Sequence, residues 1–160
     1  SLSDREDLIP LKSELEYVGH YIKIQNLRFP KRYTFEISFE EEMLEYCVPK
    51  YAIQTLVENA VLHGIDPMGG EGRISVKGEK EGKDLCIRVT DNGVGIPEGK
   101  LKKIRDRLAS ARETSDEEGI GIQNVNDRLT MHFGEAYAVQ LNSMEEQGTE
   151  VVFRVPCHHC

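Results

Sequence analysis

Tryptophan is absent from the 160 residues, and cysteine occurs only four times, at Cys47, Cys86, Cys157 and Cys160. Thiols so few and so scattered do not make a secreted disulfide scaffold, so a reduced, cytosolic, soluble domain is expected. Long apolar runs are also missing. None approaches the ~20 residues of a membrane-spanning helix, and no signal-peptide pattern opens the chain. Positive charge is in deficit, with 20 Lys and Arg against 28 Asp and Glu, a formal net charge of −8. That sign argues against nucleic acid as the main partner, because a phosphate backbone needs a basic surface. There is no internal repeat and no low-complexity block. What remains is a globular balance, 39% hydrophobic and 30% charged, in a length suited to one domain or one domain plus an appended helix.

Hydrophobic periodicity divides this length into elements. Leu8, Leu11, Leu15, Val18 and Ile22 recur at helical steps with Asp4, Glu6, Lys12, Glu14 and Lys23 between them, until Arg28-Phe29-Pro30 breaks the pattern. Tyr33–Phe39 alternates as a half-buried strand. Pro49 is expected to open a second helix and Gly64 to close it. Strands follow around Ile74–Val76 and Leu85–Val89, joined by Glu81-Gly82-Lys83. A glycine turn and a long charged stretch then lead to Glu118. A helix over Ile120–His132 precedes a last strand pair, Tyr137–Leu141 and Val151–Val155. Paired strands mixed with helices predict an α+β fold in two layers rather than a doubly wound parallel sheet.

Several phosphate and metal templates fail. Neither Gly93-Val94-Gly95 nor Gly119-Ile120-Gly121 has the third glycine of a dinucleotide fingerprint, and no Gly-Lys-Ser/Thr exists for a P-loop. The tail Cys157-His158-His159-Cys160 holds four possible ligands, but its spacing matches no structural zinc pattern, so it is expected to be a solvated tail or cloning remnant.

Three segments carry chemistry instead. In the second helix, Ile53, Leu56, Val57, Ala60 and Val61 form a buried face, while Thr55, Asn59 and His63 line one polar edge at four-residue steps. An Asn there offers a neutral carbonyl oxygen suited to Mg²⁺, which shares its shell with water and phosphates; the alternative is a surface Asn. Next, a strand delivers Asp91 into Asn92-Gly93-Val94-Gly95, where an acid backed by glycines can meet a flat ligand at close range. A plain hairpin turn accounts for that pentapeptide equally well. Finally, Gly119-Ile120-Gly121 opens directly into a helix, whose N–H groups and dipole can hold phosphate without basic side chains.

In this order the segments resemble the N, G1 and G2 boxes of the gyrase, Hsp90, histidine kinase and MutL (GHKL) superfamily, which has the Bergerat fold. Leu56–Gly64 resembles the N box, Asp91–Ile96 the G1 box, Gly119–Val125 the G2 box and Gly148-Thr149 the closing Gly-Thr motif. Leu15–Gln25 with Arg28-Phe29, and Gly121–Leu129, are similar to LytS/YesM-like sensor histidine kinases. The resemblance implies a two-layer α/β sandwich with a mixed, mostly antiparallel sheet covered on one face by helices. It implies ATP and Mg²⁺ as cofactors, with Asp91 accepting the adenine amino group and Gly93, Gly95 and Ile96 around the base. Asn59 would hold Mg²⁺, Gly119 and Gly121 would face the phosphates, Thr149 would close the pocket, and His63 would contact ribose or phosphate. Glu58 is the candidate catalytic acid/base.

Two departures from the resemblance stand out. Thr55 occupies the position where ATP-hydrolysing members carry a Glu four residues before the box Asn, so water activation should be poor. Leu62 stands where many relatives carry Lys or Arg. The stretch between the last two glycine boxes, Lys100–Arg112 with six bases and one acid followed by Glu113–Glu118 with four acids, resembles the superfamily's ATP lid, and its basic part could supply the missing charge. The implied domains are residues 1–28 as the end of a dimerisation helix, 29–156 as the ATP-binding domain and 157–160 as a tail. The implied function is the catalytic domain of a two-component sensor histidine kinase. It would pass the ATP γ-phosphoryl to a histidine on a dimerisation domain, with a response regulator downstream, as the cytoplasmic part of a membrane-anchored homodimeric sensor. No phosphoacceptor box surrounds His20, so this chain alone should bind ATP without phosphorylating itself. The alternatives are a nucleotide-binding module of the same fold without phosphotransfer, or an interaction domain whose helical stripe matters and whose boxes are relics.

Overall fold

The computed structural model describes residues 7–110 and 119–160. A short strand β1 (Leu8–Pro10) leads into helix α1 (Leu11–Arg28), followed by β2 (Tyr33–Ser38) and β3 (Cys47–Pro49). Helix α2 (Ala52–Asn59) runs on into a π-helical turn, Ala60–Ile65. The hairpin β4 (Gly72–Glu81) and β5 (Asp84–Asp91) comes next, then α3 (Glu98–Ser110), α4 (Ile120–Phe133), β6 (Gln140–Met144) and β7 (Gly148–Pro156). The main sheet has the order β2-β4-β5-β7-β6, and only β2 and β4 are parallel. β1 and β3 form a separate antiparallel pair. This is the two-layer α+β architecture expected, with a mixed, mostly antiparallel sheet.

Strand periodicity sorts the sheet's faces. Leu85, Ile87 and Val89 pair across to Val155, Phe153 and Val151, and all six are buried in the core shared with α1, α2 and α4. The intervening positions carry Arg88, Glu150 and Arg154, which form ion pairs with one another and with Glu81. The same register places Asp91 opposite Thr149 on one side and Ile74 on the other, so the acid lies on the core face at the sheet's end.

Several boundaries differ from the sequence reading. The apolar stripe starts one element early, because Leu8 belongs to β1 and the helix begins after Pro10. Glu14 is not a solvent-side charge of that helix: it is fully buried, and its carboxylate accepts the backbone N–H groups of Tyr51 at 2.7 Å and Gln54 at 3.1 Å. Tyr51 precedes α2 with φ 66° and offers no side-chain cap, so a residue 37 positions away caps the helix instead. Pro49 ends β3 rather than opening α2. Gly64 does not close the helix; it sits inside the π turn. The charged stretch after the glycine turn is not loop throughout, because α3 buries Leu101 and Ile104 on its inner side. The rest of the expected lid, residues 111–118, lies outside the described residues. Tyr137 falls in a 3₁₀ turn that donates to Asp84, and its strand starts at Gln140. The tail is exposed at His158, His159 and Cys160 as expected, but it is tethered rather than free: a disulfide joins Cys160 to Cys47, and the Cys47 amide donates to the His158 carbonyl.

Glu14→Ala would leave two buried amides at the α2 N-terminus without an acceptor. This is expected to cost about 2 kcal/mol and lower the thermal midpoint by roughly 4–8 °C. A melting curve identical to the parent's would refute this capping role.

Candidate nucleotide site

The site forms where the end of α2 meets the end of β5. Inside the π turn the helix widens, and Gly64 presents bare backbone to the turn after β5. A Cβ on Gly64 would lie 2.6 Å from Asp91 Oδ1, and one on Gly93 would collide with the Gly64 carbonyl. The absence of both side chains lets the two segments touch, sealed by Val94 N–H donating to the Gly64 carbonyl at 2.9 Å. The glycines of this box therefore serve backbone-to-backbone approach, with the space beside Gly95 likewise taken by the Met144 carbonyl.

The β6–β7 hairpin braces the same turn. Ile96 N–H donates to Ser143 Oγ at 2.8 Å, and Ser143 Oγ in turn lies 2.8 Å from Thr149 Oγ1 and donates to the Gly148 carbonyl. Asn92 is occupied structurally, since its Oδ1 accepts the Arg73 amide. Asp91 is 6% exposed, and Gly93 N–H donates to its Oδ1 at 2.9 Å. Burial pushes the Asp91 carboxyl up to about 6, although the Gly93 and Thr149 amides pull it back toward the ordinary carboxylate range.

Two neighbouring spaces lie at this end of the sheet. A recess of about 30 Å³ is lined by Asp91, Thr149, Asn59, His63 and Ile96. A cavity of about 310 Å³ shares Asn59, His63 and Ile96 with it and adds Gly95, Lys100 and Gly119. α2 and its π turn thus supply Asn59 and His63, the turn after β5 supplies Gly95 and Ile96, and α4 opens at Gly119. Gly121 lies against α2, where a Cβ would come 3.2 Å from Thr55 Cγ2 and 3.9 Å from Asn59 Oδ1. Three expected site residues line neither space: Gly93 is packed on Gly64 and donates to Asp91, Gly121 packs against α2, and Glu58 is exposed, its carboxylate accepting a hydrogen bond from Gln54. Sequence reasoning missed Ser143, whose only signal is its register opposite Thr149, and Glu145 at the cavity rim. A larger cleft of about 520 Å³ between α3 and β6 has no carboxylate or hydroxyl among the described residues that line it, and its Arg105 is spent on the Leu141 carbonyl.

A family model described as histidine kinase-, DNA gyrase B-, and HSP90-like ATPase matches residues 49–159. The chain is similar to sensor histidine kinase YesM of Bacillus subtilis, 30% identical over 159 residues, covering 99% of this chain and 26% of that protein. It is 35% identical over 155 residues to sensor protein LytS of Staphylococcus saprophyticus, covering 97% and 26%. The chain therefore spans about a quarter of the length of these relatives. A solved structure of histidine kinase ThkA in complex with response regulator protein TrrA shares the fold, with TM-score 0.63, 19% identity, and coverage of 94% of this chain and 41% of that one.

Asp91→Asn keeps an acceptor for the Gly93 amide but removes the buried charge. A carboxyl raised from 3.8 to about 6 by folding holds its proton more tightly when folded, at a difference of about 3 kcal/mol. Its contribution to stability is greatest below about pH 4 and is lost as pH rises through 6. The unliganded variant should therefore be more stable than the parent at pH 8, and the advantage should vanish near pH 4. Chemical denaturation at both pH values checks this; an advantage that does not change with pH would count against a strained carboxylate.

Proposed function

The chain belongs to the histidine kinase-, DNA gyrase B- and HSP90-like ATPase family, and from that premise we propose that it binds ATP as the catalytic domain of a sensor histidine kinase. The observation that carries the reading is the buried Asp91 carboxylate lining a recess that shares Asn59, His63 and Ile96 with a larger neighbouring cavity. An ionised carboxylate there accepts the exocyclic amino group of adenine, while Leu56, Val89 and Val151 give the ring apolar walls. Gly119 and the first turn of α4 meet the phosphates, where free N–H groups and the helix dipole favour negative charge.

Asn59 fits Mg²⁺, since it sits between the recess and the cavity with a neutral carbonyl oxygen and leaves the ion's other positions to water and phosphate. Bound there, the ion would neutralise charge on the transferring phosphoryl group. Thr55 lies beside Gly121 and carries no carboxylate, so this chain has no base there for water. Transfer to a side chain delivered from elsewhere, chiefly by positioning, suits that arrangement. By analogy with its relatives, the acceptor is a histidine on a dimerisation domain of a longer, membrane-anchored protein, and a response regulator receives the phosphoryl group. Among the described residues no helix is long and apolar enough to cross a membrane.

Thermal shift with ATP tests the reading. At about a hundredfold excess over Kd, ATP with Mg²⁺ should add about 2.7 kcal/mol, or roughly 5–10 °C. Asn59→Ala should lose the Mg²⁺-dependent part of that shift and keep the response to adenosine. No shift with any adenine nucleotide sinks the proposal. Binding without transfer to a supplied histidine-bearing dimerisation fragment favours the nucleotide-binding module instead.

A further inference from the structure

Three polar side chains stand in one row across the end of the sheet. Asp91 on β5 lies opposite Thr149 on β7, and Thr149 lies opposite Ser143 on β6. Residues directly opposite share a face, so all three belong to the face that carries the site. Asp91 and Thr149 line the recess, whereas Ser143 stands one strand further out and lines neither the recess nor the cavity.

The neighbours of Ser143 assign its proton. A serine hydroxyl has one hydrogen and two lone pairs. Ser143 Oγ lies 2.8 Å from the Ile96 amide, 2.9 Å from the Gly148 carbonyl and 2.8 Å from Thr149 Oγ1. The amide only donates, so it takes one lone pair. The carbonyl only accepts, so it takes the hydrogen. The lone pair that remains faces Thr149, whose hydroxyl therefore donates to Ser143. Among the described residues Thr149 Oγ1 has no other hydrogen-bond partner, so what it has left for the recess is lone pairs alone. Asp91 is an acceptor too. The Gly93 and Thr149 amides donate to its carboxylate, and above about pH 6 the ionised group has no proton to offer. The strands contribute Val89, Asp91, Thr149 and Val151 to the lining, hence two acceptors and no side-chain donor.

We propose that Ser143 is a specificity-determining positioning residue: by accepting the Thr149 hydroxyl hydrogen it makes Thr149 a second acceptor beside Asp91, and the pair selects a nucleobase that carries an exocyclic amino group. The inference rests on the ATP reading and adds to it the means by which a 6-aminopurine is told from a 6-oxopurine. The two N–H bonds of one amino group match the two acceptors. A 6-oxo oxygen would set a third acceptor against them with no hydrogen between, and polar groups left unpaired in a site discriminate far more sharply than a lost apolar contact. Thr149 without Ser143 would not discriminate in this way, because a hydroxyl free to turn donates to an oxygen as readily as it accepts from an N–H. Ser143 also holds the Ile96 amide, but a brace alone would weaken every nucleotide alike.

The test measures Kd of the full chain by titration calorimetry at pH 8, with ATP and with inosine 5′-triphosphate, each in the presence of Mg²⁺. The parent is expected to prefer ATP, and Ser143→Ala should narrow that preference roughly fivefold, the worth of one neutral hydrogen bond. Ser143→Thr keeps the hydroxyl and should restore the parent's ratio. In a Thr149→Val background Ser143→Ala should leave the ratio unchanged, since the residue acts through Thr149. Ser143→Cys, close in shape and a weak acceptor, should narrow the ratio in the same direction and stands in if the alanine variant does not fold. A Ser143→Ala variant that weakens both triphosphates by the same factor has lost only the brace on Ile96, and that result overturns the proposal. A parent that binds ATP and inosine 5′-triphosphate equally well also overturns it while ATP binding stands; a parent that binds neither overturns the ATP reading along with it.

Discussion

The contact between Gly64 and the Asp91 turn is the constraint on which the site depends. A carboxylate can be kept in an apolar wall only if something donates to it and nothing crowds it. Here the Gly93 amide donates, no side chain at Gly64 crowds the carboxylate, and none at Gly93 keeps the Gly64 backbone away. Antiparallel register then does the rest, setting Thr149 opposite Asp91 and Ser143 opposite Thr149, so that the Ser143 hydroxyl, paired with Thr149, accepts the Ile96 amide and ties the hairpin to the same turn. The carboxyl is still raised well above its ordinary range, so the fold carries an unrelieved charge at this point. Strain held where a ligand can relieve it is the usual mark of a binding site rather than of a core.

The helices that wall the cavity are held at their opposite ends by the amino-terminal segment. α2 has eight residues before its π turn, too few to be stable alone, and Glu14 caps its start. α4 is clasped near its end by Asp7, whose carboxylate accepts from Arg128 at 2.6 Å and pairs with His132 at 2.7 Å. The Asp7 carbonyl also accepts the Lys50 amide just before α2. Two acids seven residues apart thus fix the distal ends of both helices whose near ends carry Asn59 and Gly119. Displacing residues 7–14 would loosen both walls together, a direct mechanical route from α1 to the site.

The parts of this arrangement that rest on local pattern were legible in the sequence. Strand alternation located Leu85–Val89, and helical spacing put Asn59 and His63 on one edge, where both line the recess and the cavity. The misread residues are those whose partners lie far away in the chain. Glu14 looks like any surface acid until α2 is docked on it, and Pro49 satisfies the rule for a helix start equally well when it ends a strand. Gly64 looks like a terminator because its reason, the approach of Asp91, is 27 residues away. Ser143 has no local signature at all. The tail's spacing matches no structural zinc pattern, but nothing local points to Cys47 either, because a disulfide is a fact of tertiary distance.

Net charge and phosphate binding are reconciled by the same geography. A chain of formal charge −8 repels a polyphosphate at long range, so attraction has to be built at short range. The cavity does this with the N-terminal turn of α4 at Gly119 and with Lys100 in the first turn of α3, across from Asn59. Leu62 contributes nothing to it, being 60% exposed and outside the lining. Asp91 lines the recess, while Lys100, Glu145 and the Gly119 turn line the larger cavity, so side chains of both signs stand there and the helix N-terminus supplies the local attraction for phosphate. Because Thr55 leaves no carboxylate beside the phosphate end, the γ-phosphoryl would be presented to whatever nucleophile enters from outside rather than to water.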